Sequence, residues 1–288
     1  TEKLSRAPIP LPPLEEQRRI ADFLDTEIDR IDRLIRLVRS TVDKLLERRA
    51  ATVYSLVTGA SAWDKRESGL PWVRALPSHW VSVKLSLVAR MGSGHTPSRS
   101  RPEFWVDCII PWITTGEVSQ VRDDRVEEIT HTREMISELG LANSAAELCP
   151  AGTVVLCRTA SAGYSAVMGR HMATSQDFVT WQCGPKLDPY YLLWTLRAMR
   201  ADLLGRLAIG STHKTIYVPD LQMLRIPLPP IAEQRDIVSA IREANSKVDR
   251  AVDALRQQIL LLAERKQALI AEAVTGKFDV TAGTLRHS

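Results

Sequence analysis

Ile9-Pro10-Leu11-Pro12-Pro13-Leu14-Glu15-Glu16-Gln17-Arg18-Arg19-Ile20 returns as Ile226-Pro227-Leu228-Pro229-Pro230-Ile231-Ala232-Glu233-Gln234-Arg235-Asp236-Ile237, at an offset of 226 − 9 = 217 residues. The same offset carries Val57-Thr58-Gly59 onto Val274-Thr275-Gly276, Asp32-Arg33 onto Asp249-Arg250, and Glu47-Arg48 onto Glu264-Arg265. Two segments of about fifty residues therefore match without a gap, which marks one structural unit used twice. Each copy reads as a long helix. The prolines force an extended entry, and the second proline pair suits a helix start. Glu15 and Glu16 favour the positive end of the helix dipole. Gly59 and Gly276 are natural stops. A helix from Leu14 to Thr58 is on the order of 65 Å long at about 1.5 Å per residue.

The apolar spacing inside each copy is heptad-like. Leu24, Ile31, Val38, Leu45 and Thr52 form one row; Ile28, Ile35, Val42, Arg49 and Leu56 form the other. Their partners in the second copy are Ile241, Val248, Leu255, Leu262 and Leu269, then Asn245, Val252, Ile259, Lys266 and Ala273. A period of 3.5 predicts that the two helices pair as a coiled coil. Thr52, Arg49, Asn245 and Lys266 interrupt the seam. They fix the register or meet another protein, or they are tolerated exposure near helix ends.

Residues 60–225 read differently, with Gly, Pro, Trp and short apolar runs interleaved. Alternation at Val81, Val83, Leu85 and Leu87 predicts a strand, as do Thr153–Cys157 and Asp177–Trp181. Pro189 to Leu204 reads as a helix capped by Asp188, and Arg133 to Leu139 as a short helix ended by Gly140. The expected fold class is α+β: one mixed α/β domain flanked by two long helices. The expected divisions are 1–59, 60–225 and 226–288.

The chain has 288 residues, 44% hydrophobic and 25% charged, with a net charge of +4 and a pI near 8.9. Those values fit a folded protein and permit a polyanionic partner without requiring one. Cys108, Cys149, Cys157 and Cys183 form no C-x-x-C and lie near no histidine at zinc-ligand spacing, so they read as thiols in a reducing cytosol and no metal site is expected. No run is long enough to span a bilayer, and no membrane partner is expected.

Motifs for catalysis are missing. Asp188-Pro189-Tyr190 lacks the second proline of an adenine methyltransferase loop and is better explained as a helix start. Gly92-Ser93-Gly94 is a lone G-x-G without a P-loop lysine. Pro219-Asp220 lacks the following acid and lysine of a nuclease core, and the histidines form no H-E-x-x-H. What remains is a set of binding loops. The first is Met91–Arg101, with Ser93, His95, Thr96, Ser98, Arg99 and Arg101. The second carries Arg158, Thr159, Ser161 and Tyr164; a third carries Gln176; a fourth carries Ser211, Thr212 and Lys214. Thr115 is a further candidate, and Tyr164 reads equally well as a packed residue. Small hydroxyls and amides approach phosphates, arginine takes guanine in a fork, and glutamine matches the adenine edge. Each loop alone also reads as an ordinary polar loop.

The ordered motifs resemble a known family. I-P-L-P-P-L/I-x-E-Q-R at both ends of the repeat is similar to the conserved regions of type I restriction–modification specificity subunits. Ser68-Gly69-Leu70-Pro71-Trp72, Leu76-Pro77-Ser78-His79-Trp80, Gly94-His95-Thr96-Pro97-Ser98, Ile110-Pro111-Trp112-Ile113, Ala173–Phe178 and Ile209-Gly210-Ser211-Thr212 resemble the landmarks of its target-recognition domain. The resemblance implies two recognition domains, each reading half of a split site in double-stranded DNA, separated by helices packed as an antiparallel coiled coil. It also implies docking of adenine methyltransferase subunits and, in some assemblies, of a restriction/translocase subunit. S-adenosylmethionine, ATP and Mg then belong to those partners, and this chain catalyses nothing, in the cytoplasm. The chain departs from that pattern in having two helices and one recognition domain, and Leu4 aligns with Leu221. Two expectations follow: the C-terminal half of a longer subunit, favoured by the absent starting Met, or a half-size form that dimerises. The rival reading is a coiled-coil adaptor whose central domain binds protein.

Overall fold

The computed structural model describes residues 11–210, 214–280 and 284–285. Two long helices, Leu14–Thr58 and Ile231–Val274, bracket the mixed α/β part of the chain. The first starts immediately after the proline pair and ends at Gly59, which takes a left-handed φ of 60°. Gly276 ends the second copy in the same way, at φ 74°. The chain divides into two compact units, residues 1–48 with 247–288, and residues 49–246.

In the smaller unit the paired helix segments run antiparallel. Lys266 Nζ lies 2.8 Å from both carboxylate oxygens of Asp32, and one turn or more away Phe278 stacks on Phe23 with ring centroids 5.4 Å apart. Later residues of the second segment thus meet earlier residues of the first. Ile31, Ile35, Val42 and Val252 are buried, as the heptad rows require. Lys266 interrupts the seam because Asp32 receives its charge.

In the larger unit the central sheet has five strands. β4 (Ala89–Ser93), β6 (Glu128–Ile129), β8 (Val154–Cys157), β9 (Ser165–Met168) and β11 (Phe178–Cys183) stand in the order β4-β11-β8-β9-β6. Only the β6–β9 pair is parallel. A smaller sheet joins β5 (Ile110–Ile113) to β7 (Glu134–Ile136) and, in parallel, to β10 (Ala173–Thr174). β3 (Val81–Lys84) pairs with β14 (Arg225–Leu228), so the entry and exit of the mixed region lie side by side. β8 and β9 are buried at every position, as strands covered on both faces should be. An inner helix, Pro189–Ala198, packs on them, and Asp188 caps it by accepting from the amides of Tyr190 and Tyr191. Tyr191 is fully buried, and its hydroxyl contacts Val57 O and Pro227 O at 3.3 and 3.1 Å.

Two local expectations change. The Val81–Leu87 alternation stops at Lys84, because Leu85–Leu87 forms a 3₁₀ turn that buries Leu85 and exposes Leu87. The segment expected as a helix from Arg133 to Leu139 is β7, followed by a short helix Glu138–Ala142. Ile136 is claimed by Ile110 across the sheet, and Ser137 caps the helix that follows, accepting from Gly140 N at 2.9 Å. Gly140 does not end that helix; it lets the helix approach the main chain of Phe104.

The second copy of the repeat starts under the mixed domain. Gln234 is wholly buried; its Nε2 donates to Lys186 O and Pro229 O, and its Oε1 accepts from Asp188 N. Glu233 accepts from Trp80 Nε1 at 3.0 Å and sits 2.9 Å from His79 Nε2. Arg242 grips Glu127, which also accepts from Trp194 Nε1. Arg49 has a comparable task. Its guanidinium is buried and donates to Asp123 O and Asp124 O at 3.0 and 2.8 Å. Arg49 is therefore no tolerated flaw at a frayed end: it holds a loop whose Asp124 adopts φ 58° and is further pinned by Arg197 and Arg200.

Candidate nucleic-acid interface

The segment after β10 is the hub of the loops. Ser175 N donates to Ile113 O, which ties Thr174–Asp177 to the end of β5. His95 N donates to Thr174 O at 3.0 Å, bringing the loop after β4 alongside. Gly94 is required at that crossing, because a Cβ there would overlap Thr174 and the Ser175 carbonyl. Thr96 Oγ1 then donates to Gln176 Oε1. From the other side, Arg158 N donates to Asp177 O at 2.8 Å and Arg158 Nε to Gln176 O at 2.9 Å. The Asp177 carboxylate accepts from the hydroxyls of Thr159 and Ser175. Finally, Ile216 N in β13 (Thr215–Ile216) donates to Arg158 O at 2.8 Å, which brings the strand following Lys214 to the same hub.

Three of the sequence-selected loops therefore converge, and the strand that follows Lys214 joins them. His95, Thr96, Arg158, Thr159 and Gln176 lie within one hydrogen-bonded network, and Lys214 is exposed two residues from its edge at Ile216. Ser93 is exposed at the end of β4, opposite Val179 in register. Thr115 opens the short turn Thr115–Glu117 just beyond β5, where Thr114 and Glu117 form a capping box. Ser161 lies in the turn after Ala160, whose φ is 53°.

The remaining candidates are engaged elsewhere. Arg99 stacks over the Trp105 ring at 3.8 Å and pairs with Glu134 at 2.8 Å. Arg101 meets Glu103 at 3.4 Å. Ser98 and Ser100 share a hydrogen bond of 2.9 Å, and Ser98 O accepts from Trp105 Nε1. Tyr164 packs against the core beside Arg200, whose guanidinium lies 4.5 Å from the ring. Ser211 and Thr212 lie outside the described residues. Asp177, Ser175 and Gly94, which assemble the hub, were not among the candidates. The signal for Asp177 was present, since an acid in a hydroxyl-rich loop needs partners, but its partner Thr159 is far off in sequence.

The hub presents donors outward. Among the described residues, neither terminal nitrogen of Arg158 nor Nε2 of Gln176 has a protein partner. The nearest carboxylate of the hub, Asp177, is turned to hydroxyls. Beneath the hub, burial pushes the Cys157 thiol up to about 11, so it stays protonated and apolar in character.

The family described as "Type I restriction modification DNA specificity domain" matches residues 1–39 and 77–261. The chain belongs to this family. The type I restriction enzyme MjaIX specificity subunit of Methanocaldococcus jannaschii is 26% identical over 168 residues, covering 58% of this specificity chain and 38% of the relative. A solved chain described as "Structural basis underlying complex assembly and conformational transition of the type I R-M system" superposes with a TM-score of 0.69 at 23% identity, over 93% of this chain and 61% of that one. The crystal structure of the HsdS subunit from Thermoanaerobacter tengcongensis gives 0.56 at 23% identity, over 93% and 60%. The fold of the specificity chain, with its mixed domain and two paired helices, is that of these structures. In length, it spans between about two fifths and three fifths of these relatives.

Proposed function

We propose that this specificity chain reads one half of a bipartite site in double-stranded DNA and docks an adenine methyltransferase subunit on its helices. The observation that carries the reading is the convergence of three loops and the strand after Lys214 on the Asp177 hub, where the Asp177 carboxylate is turned to hydroxyls and Arg158 and Gln176 keep donors without a protein partner among the described residues. Fixed loops on a rigid sheet suit base readout, and exposed Lys214 beside them suits a phosphate contact. Methyl transfer with S-adenosylmethionine, and translocation with ATP and Mg, are assigned to partner subunits; the chain itself is a non-catalytic reader.

A second reader is part of the proposal. On the second helix Ile237, Val238 and Ile241 are buried beneath the mixed domain. Their repeat equivalents on the first helix are Ile20 and Leu24, half-buried, and Ala21, exposed. Gln17 keeps the bond to Pro12 O at 2.7 Å that matches Gln234 to Pro229, while Leu11 and Leu14 stay exposed. This start has the chemistry to hold another recognition domain, from the same polypeptide or from a second copy.

The test is selection from a pool of randomised duplexes by the full chain together with a methyltransferase subunit. The expected result is an enriched half-site whose affinity falls steeply with salt. A complex that forms but enriches no sequence would overturn the reading in favour of a protein-binding adaptor.

A further inference from the structure

We infer that Arg158 is a base-reading residue and that the half-site places a guanine against it. This rests on the DNA-reading function proposed above. Arg158 is anchored at three points before any ligand arrives. Its amide donates to Asp177 O, its carbonyl accepts from Ile216 N, and its Nε donates to Gln176 O at 2.9 Å. The third bond fixes the plane and direction of the guanidinium. It also leaves both terminal nitrogens, the two prongs of the fork, without a protein partner among the described residues.

Other arginines of the loops, and Arg200 in the helical turn behind them, are engaged differently. Arg99 is neutralised by Glu134 and covered by Trp105; Arg101 faces Glu103; Arg200 grips the Asp124 carboxylate through both terminal nitrogens. Arg158 alone among these is held by carbonyls rather than acids, so the charge of this half-buried side chain is left without an acid partner among the described residues. A phosphate contact needs charge but little orientation. An anchored planar fork gains most from a partner with two coplanar acceptors.

The neighbouring groups select among bases. Gln176 Oε1 accepts the Thr96 hydroxyl, so its Nε2 is a further donor beside the fork. Guanine offers two adjacent acceptors, N7 and O6, in the major groove. Adenine and cytosine present an amino donor, which would oppose these donors, and thymine presents one acceptor beside a methyl group.

The experiment selects duplexes from a randomised pool with the wild-type chain, R158A and R158K, each with the methyltransferase subunit and each first checked by thermal melting. The wild type should enrich a guanine at one position. R158A and R158K should lose that preference at that position and keep the others. Replacing this guanine by 7-deazaguanine should weaken wild-type binding roughly 5- to 150-fold and leave R158A unchanged. Recovery of the wild-type profile by R158K, or an equal loss across all sequences, would mark a phosphate contact and overturn the inference while leaving the reading of DNA intact. No enrichment by the wild type would remove both. Should R158A not fold, R158K, which retains the charge, decides the matter.

Discussion

Gln17 and Gln234 are the same residue of the repeat in two environments. Gln234 has three protein hydrogen bonds in full burial; Gln17 has the one to Pro12 in a half-buried site. Gln234→Ala should cost about 2–4 kcal/mol, since it strands a buried amide and buried carbonyls. Gln17→Ala should cost under about 1 kcal/mol. Chemical denaturation of both variants checks the contrast. The cysteines give a second test. Burial lifts Cys157 to about 11 and Cys183 to about 12. At pH 8 the thiolate fraction is then roughly one in a thousand or less. Native labelling with iodoacetamide at pH 8 should spare both, and both should label in denaturant.

At the scale of elements, the long helices were legible to within a residue. Prolines, first-turn acids, heptads and terminal glycines all pointed the same way over many turns, and a long period averages out local exceptions. The short strands were less so. Val81–Leu87 kept a strand-like alternation, but Leu85 N donates to Leu224 O and the chain turns. Arg133–Leu139 has helix formers, but Ile110 claims Ile136 as a sheet partner. Both outcomes depend on residues far away in sequence. The seam polar residues were visible and their partners were not: Lys266 has Asp32, and Arg49 has the Asp123 and Asp124 carbonyls. Lys266 and Asp32 are both about a third exposed or less, so the desolvation of two charges offsets much of the attraction between them. Replacing both partners, Lys266→Leu with Asp32→Leu, beside Ile35 in the same cleft, should raise stability by about 0.5–1 kcal/mol. A drop in melting temperature would show that the ion pair is the stronger contribution.

For the molecule as a whole, several buried acids hold their protons more tightly than they would in the unfolded chain. Desolvation raises Cys157 and Cys183 above 9.0, and raises Tyr190 from 10.0 to about 12, with Glu128 adding to it; Tyr191 shifts in the same direction. Raised values favour the folded state below the ordinary pKa and cease to do so as pH climbs through the folded one. The melting temperature should therefore hold from neutrality to about pH 8 and fall progressively above pH 9, which a pH series of thermal melts will show. The candidate interface was legible as a list of loops but not as a surface. Glycines, hydroxyls and arginines announced Met91–Arg101, yet Arg99 and Arg101 found acids that the sequence placed close in space, and Arg158 found carbonyls.

The Asp177 hub has a consequence for timing. Its loops are joined through main-chain bonds before a duplex arrives, so an encounter needs no slow rearrangement to become productive. On the proposed function, right and wrong sequences are met at nearly the same rate, and the choice between them is made by how long each one stays.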